Sequence, residues 1–180
     1  MRISHDGLAD GAQFVASPNC DERPPSTAIE LIVVHAISLP PGVFGGPGIL
    51  QLFTNSLDAA ADPYYATVAH LRVSAHFLVR RDGSVVQFVP TVLRAWHAGV
   101  SCWRGRERCN DFSIGIELEG CDELLFEHAQ YGSLARLTRA IQDQYPIAEI
   151  VGHMDIAPRR KTDPGPQFDW LRYRKMLSQS

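Results

Sequence analysis

Residues 29–36 read IELIVVHA, a short run of β-branched and apolar residues with a polar lead-in, closed at once by SLPPG. A segment so apolar and so brief reads as a buried strand, with His35 near its carboxyl end. The fold must therefore contain a sheet, and the remaining segments must pair with this strand or cover it. HFLVRRDGSVVQFV (76–89) supplies two apolar runs around Arg81, Asp82, Gly83 and Ser84. Asp-Gly is a strong hairpin signal, because both residues tolerate positive φ. FSIGIELEG (112–120) alternates apolar and polar positions and predicts another strand, and EIVGHMDI (149–156) a short one.

Helical spacing appears between 128 and 145, where Tyr131, Leu134, Leu137, Ile141 and Tyr145 recur at three- and four-residue steps before Pro146. The start of this helix, FEHAQY, lacks the Ser, Thr or Asp that would cap it. Shorter helices are predicted at 48–57 and 168–177. Strands mixed with helices, with one hairpin in the middle, imply an α/β fold: a mixed central β-sheet flanked by α-helices. No repeat, low-complexity tract or linker divides the chain of 180 residues, so a single domain over 1–180 is expected, with its core at about 15–175.

Composition narrows the function. Hydrophobic residues at 45% and charged residues at 21% are ordinary for a globular domain and argue against a membrane span. A net charge of -3 provides no positive field for a polyanion, so nucleic acid is not an expected partner. The first 20 residues lack the apolar run of a secretory signal, which points to the cytoplasm. Cys20, Cys102, Cys109 and Cys121 form no C-x-x-C pair and are expected as free thiols without a role.

Among seven histidines, His35 and His153 stand apart, since each lies at or near the end of a predicted strand and precedes a loop rich in Pro or Gly. In GHMDIAPRRKTDPGP (152–166) the prolines exclude a continuous helix, and Lys161 and Asp163, two residues apart, point to the same side of an extended segment. Two imidazoles and a carboxylate make a normal catalytic zinc set. Spacing alone does not choose between that site and a solvated turn. Glu117 lies opposite Ile114, Ile116 and Leu118 on its strand, as a solvated face would place it or as a general base beside a metal would require. Trp96, in RAWHAG, is either core or a flat surface for a sugar ring. Arg72, Arg104, Arg106 and Arg108 offer bidentate carboxylate binding or plain surface charge.

Taken together, VVHAISLPPGVFGGPGI, HLRVSAHFLVRRDGSVVQFVP, RAWHAGVSCWRGRERCNDFSIGIELEG and GHMDIAPRRKTDPGPQFDW closely resemble the AmpD family of zinc amidases, within the amidase type 2 group that also takes in peptidoglycan recognition proteins. The resemblance covers about residues 15–175. It implies one Zn²⁺ per chain bound by His35, His153 and Asp163, with Glu117 and Lys161 as catalytic residues. Zinc polarises the scissile carbonyl and lowers the pKa of a water, Glu117 carries the proton to the leaving amine, and Lys161 stabilises the oxyanion. It further implies substrate contacts from Tyr64, Arg72, Ala95, Trp96, Arg108 and Leu118. The substrate would be an anhydromuropeptide, cut between the lactyl group of 1,6-anhydro-N-acetylmuramic acid and L-alanine. The setting would be cytoplasmic peptidoglycan recycling, with control of the signals that induce β-lactamase, in a monomer that binds no membrane.

One position departs from the family, which carries Asn directly after the first zinc His where this chain has Ala36. A polar partner that would orient the ligand is then expected to be missing. The alternatives are a muropeptide sensor without catalysis and a murein amidase of broader specificity. Sensors of this group typically lack a zinc ligand, and here all three are present.

Overall fold

The computed structural model describes residues 1–179. Its central sheet has six strands: β1 (Gln13–Phe14), β2 (Leu31–Ile37), β3 (Phe77–Val79), β4 (Val85–Gln87), β5 (Ser113–Glu119) and β6 (Glu149–Gly152). They run in the order β1-β4-β3-β5-β2-β6. Only the β3–β4 hairpin is antiparallel; β1–β4, β3–β5, β5–β2 and β2–β6 are parallel. The expected mixed sheet is therefore present, and Gly83 turns its hairpin at φ +84°.

Alternation along the strands divides two faces. Ile32 and Val34 of β2 and Ile114, Ile116 and Leu118 of β5 pack in one core with Leu134, Leu137 and Ile141 of helix α3 (His128–Gln144) and Tyr173 of α5 (Trp170–Ser178). This is the face that the three- and four-residue spacing foretells. Truncating a fully buried leucine such as Leu134 would cost about 2–5 kcal/mol. On the other side, Ile49, Leu52 and Phe53 of α1 (Gly48–Phe53) cover Leu78 and Val86, while Ala98, Phe112 and Ile156 cover Leu31 and Val33.

Three local expectations change. The strand foreseen at 149–156 ends at Gly152, and residues His153–Ile156 form one helical turn, α4, because the Asp155 carboxylate accepts the Gly152 N–H at 2.7 Å and closes the turn. Helix α3 does have a start signal: Gln130, three residues on, accepts the Glu127 N–H at 3.0 Å. The same amide donates to the carbonyls of Val79 and Glu119 and so ties the helix to β3 and β5. A short helix, α2 (Pro63–Val68), had no periodicity to reveal it; Asp62 caps it through the Tyr64 N–H. Among the described residues, no helix is long and apolar enough to cross a membrane, and all four cysteines are free.

Candidate metal centre and active-site cleft

Strands β2, β5 and β6 are mutually parallel, so their carboxyl ends lie along one edge of the sheet, where open α/β sheets present ligand sites. His35 comes from the end of β2, Glu117 pairs with it from β5, and His153 begins the turn directly after β6. The Met154 N–H donates to the Asp163 carbonyl at 2.9 Å, which folds the proline-rich loop back and brings that carboxylate beside His153.

His35 Nδ1, His153 Nδ1 and Asp163 Oδ2 form a triangle with edges of 2.9, 3.1 and 3.0 Å. A tetrahedral zinc with bonds of about 2.0–2.1 Å has ligand–ligand edges of about 3.3 Å, so the triangle is close to the size a zinc ion requires. Proton counting favours a cation as well. His153 Nε2 lies 3.2 Å from the Ala98 carbonyl, which only accepts, closer than the Arg160 guanidinium at 3.5 Å, whose NH2 is already donated to that same carbonyl at 2.7 Å, so the imidazole proton sits on Nε2. Its Nδ1 lone pair then faces a carboxylate lone pair across 3.0 Å, a repulsion that a metal ion in the triangle converts into coordination. The donor set of two imidazoles and one carboxylate fits zinc.

Burial sets the charges around the triangle. Desolvation pulls His35 down to about 4 against the opposing pull of Asp163, so it offers a neutral ring. For Asp163, burial acts in the opposite sense but the two histidines outweigh it and hold the carboxyl well below the usual carboxylate range. Glu117 is raised well above its ordinary value, first by burial, then by the Asp163 charge, with Lys161 partly offsetting both. Its Oε2 is buried without a hydrogen-bond partner. The whole of β5 is buried, so Glu117 is not on a solvated face; the segment carrying Trp96 and His97 closes over that side.

The cleft has a volume of about 250 Å³, and His35, His153, Asp163, Glu117, Lys161, Tyr64 and Trp96 all line it. The indole N–H of Trp96 is taken by Asp21 at 3.1 Å, which leaves the flat ring as its contribution. Arg108, with φ +60° and an ion pair to Asp111 at 3.4 Å, lines an adjoining depression that shares Trp96.

The remaining expected contacts lie elsewhere. Leu118 points from β5 into the helix-side core, opposite Glu117, and so lines no groove with its side chain. Ala95 is fully buried against the α1 cluster. Arg72 is exposed and turns onto the carbonyls of Ala69, His70 and Leu71. Ala36 also needs correction, because it follows His35 on a strand and packs against the helix-side core. A side chain there faces away from the triangle, so the missing Asn removes no partner of His35. That partner, which the sequence reading did not single out, is His97: its Nδ1 lies 2.9 Å from His35 Nε2. Burial, followed by the neighbouring His35 and His76 rings, pushes His97 well below its ordinary value, so it is neutral. No local sequence signal marks this contact between residues 62 apart in the chain. Arg160, one of the loop's charges, holds scaffold instead, donating to the carbonyls of Ala98 and Val100.

Comparison with known proteins agrees with this geometry. The N-acetylmuramoyl-L-alanine amidase family matches residues 25–166. The 1,6-anhydro-N-acetylmuramyl-L-alanine amidase AmpD of Escherichia coli K12 is 61% identical over 178 residues, spanning 98% of this chain and 97% of that protein. The crystal structure of a selenomethionine AmpD derivative superposes with a TM-score of 0.96 at 57% identity, covering 99% of this chain and 100% of the other. The amidase AmiD from E. coli, solved with its substrate anhydro-N-acetylmuramic acid-L-Ala-D-γ-Glu-L-Lys, superposes with a TM-score of 0.61 at 31% identity, over 97% of this chain and 65% of AmiD. The chain belongs to the N-acetylmuramoyl-L-alanine amidase family and is an amidase of that kind.

Proposed function

We propose that this chain hydrolyses the amide between the lactyl group of 1,6-anhydro-N-acetylmuramic acid and L-alanine in soluble muropeptides. The observation that carries this reading is the triangle of His35, His153 and Asp163 beside a buried, unpartnered Glu117 carboxylate. The likeness to AmpD over nearly the whole chain supports the choice of substrate.

His35, His153 and Asp163 would hold one Zn²⁺. When bound, zinc supplies Lewis acidity that polarises the amide carbonyl and acidifies water. Glu117, with its proton affinity raised by burial, takes a proton from the attacking water and returns it to the amine that leaves. Lys161 lies across the same cleft and presents a positive charge to the oxyanion that develops, an interaction stronger in the transition state than in the substrate. The face of Trp96 receives the sugar, Tyr64 borders the site, and Arg108 in the adjoining depression meets the carboxylates of the peptide. We assign the enzyme to cytoplasmic recycling of wall fragments and so to control of the muropeptides that induce β-lactamase.

Incubation with anhydromuramyl-peptide, with and without a chelator, tests the function. Chelator-sensitive release of free peptide is expected, and binding without release would instead make the protein a sensor. Turnover of intact murein sacculi at rates near those for soluble fragments would replace the narrow specificity with a broad one.

A further inference from the structure

His35 and His153 meet the metal triangle through Nδ1, so each must keep its proton on Nε2 if both are to present lone pairs. His153 is held in that form by the Ala98 carbonyl. His35 has no carbonyl or carboxylate on Nε2. Its partner there is another imidazole, His97 Nδ1 at 2.9 Å, which on its own accepts or donates according to its tautomer.

The direction is fixed further along. His97 Nε2 lies 3.2 Å from Ser113 Oγ, and Ser113 Oγ lies 2.6 Å from the Cys109 carbonyl oxygen. A carbonyl cannot donate, so the Ser113 hydroxyl proton is committed to Cys109. The Ser113 oxygen therefore accepts from His97 Nε2–H, and a neutral imidazole has only that one N–H. His97 Nδ1 is left bare and accepts from His35 Nε2–H, which turns the His35 Nδ1 lone pair toward the triangle.

The chain of contacts is also rigid. The Asn110 amide oxygen accepts the N–H of His97 at 3.2 Å and of Ala98 at 2.8 Å, so one side chain anchors the partners of both histidine ligands. Beneath the His97 ring the sheet carries Gly115, where a Cβ would stand 2.4 Å from His97 Cγ. Only glycine lets the ring lie this close to β5.

We propose that His97 is a positioning residue for the metal centre: the relay Cys109 carbonyl, Ser113, His97 sets the tautomer and orientation of His35, while Asn110 holds residues 97 and 98 so that both histidine ligands are aimed together. The inference rests on the reading that His35, His153 and Asp163 hold zinc. It goes beyond that reading by giving a metal-directed role to four residues outside the ligand set, of which His97 also borders the cleft.

The test is zinc affinity by chelator competition, together with ¹⁵N spectra of histidine-labelled protein that report which ring nitrogen of His35 carries the proton. Wild-type protein is expected to bind one zinc and to show Nε2–H on His35 with and without metal. His97→Ala should weaken zinc binding about 10–100-fold, the usual loss when a ligand's partner is removed. His97→Asn, whose amide oxygen can accept the same N–H, should recover most of it. Ser113→Ala, which frees the His97 tautomer, should produce a mixed signal for His35 in the metal-free protein. Wild-type zinc affinity in folded His97→Ala, or a pure Nε2–H signal for His35 in metal-free Ser113→Ala, would overturn the relay while leaving the metal site standing. If His97→Ala does not fold, the Ser113→Ala spectrum decides. A wild-type protein that takes up no zinc would overturn both the metal site and the relay.

Discussion

Glu117 stands directly opposite His35 in the register of two adjacent parallel strands, β5 and β2. Cross-strand partners project from the same face of a sheet, so a carboxylate that accepts protons is delivered beside a metal-binding imidazole by backbone pairing alone. No loop needs to close to bring the two together. That rigidity suits a general base, whose position must be held to within a fraction of an ångström.

Replacing Glu117 by Gln should lower kcat by about 10²–10⁴-fold, the range expected for loss of a general acid–base group. Zinc content, measured by atomic absorption, should not change. Because Glu117 Oε2 is buried and unpartnered, the neutral amide is also expected to keep or raise the melting temperature. A fall in bound zinc would instead make Glu117 part of the metal's own support.

Zinc should stabilise the fold by binding the native triangle and not the unfolded chain. At a free concentration 100 times its dissociation constant the gain is about 2.7 kcal/mol. For a chain of 180 residues this corresponds to a rise in Tm of roughly 5–10 °C. Asp163→Asn, which removes the anionic ligand, should shrink the shift sharply in a thermal melt. An undiminished shift would place the ion elsewhere.

The pH dependence of stability should carry the signature of His76. This residue is fully buried, accepts the Gly115 N–H through Nδ1, and faces the Leu93 carbonyl, the Arg23 guanidinium and the ring of His97. Burial, and then Arg23, pull it down to about 3 from the ordinary value of 6.5. Its folded-state pKa is lower than its unfolded one, so the unfolded chain takes up the extra proton and stability falls as pH drops below 6.5 toward 3. Between pH 6.5 and 5 the contribution is about 1.5–2 kcal/mol. Urea unfolding at the two pH values should show a loss smaller by that amount in His76→Gln, and an equal loss would show that other groups govern acid unfolding.

Ala36→Asn installs the residue that the family resemblance implies at this position. Since Ala36 faces the helix-side core, zinc affinity and turnover should stay within about threefold of wild type, well short of the 10–100-fold typical of a changed ligand partner. A tenfold rise in affinity would mean that the new amide reaches the metal after all.

Much of the fold was legible because its signals are local. The apolar run ending in His35, the Asp-Gly hairpin and the spacing of Leu134, Leu137 and Ile141 each fix an element through neighbours in sequence. The same alternation turns the side chains next to His35 and Glu117 on their strands, Ala36 and Leu118, toward the helix-side core, although Ala36 still borders the cleft. Helix α2 was not legible, since six residues are too few for a period to declare itself.

The sequence by itself determined the kinds of elements, the family and the ligand types, because hydrophobic period, turn chemistry and motif spacing are properties of contiguous residues. Only the tertiary structure decided how charges and protons are arranged. Burial of β5 on both faces turned Glu117 from a surface carboxylate into a desolvated base. Packing across 62 positions made His97 the partner of His35. Desolvation and hydrogen-bond direction depend on what lies across space, and nothing in the adjacent residues encodes that.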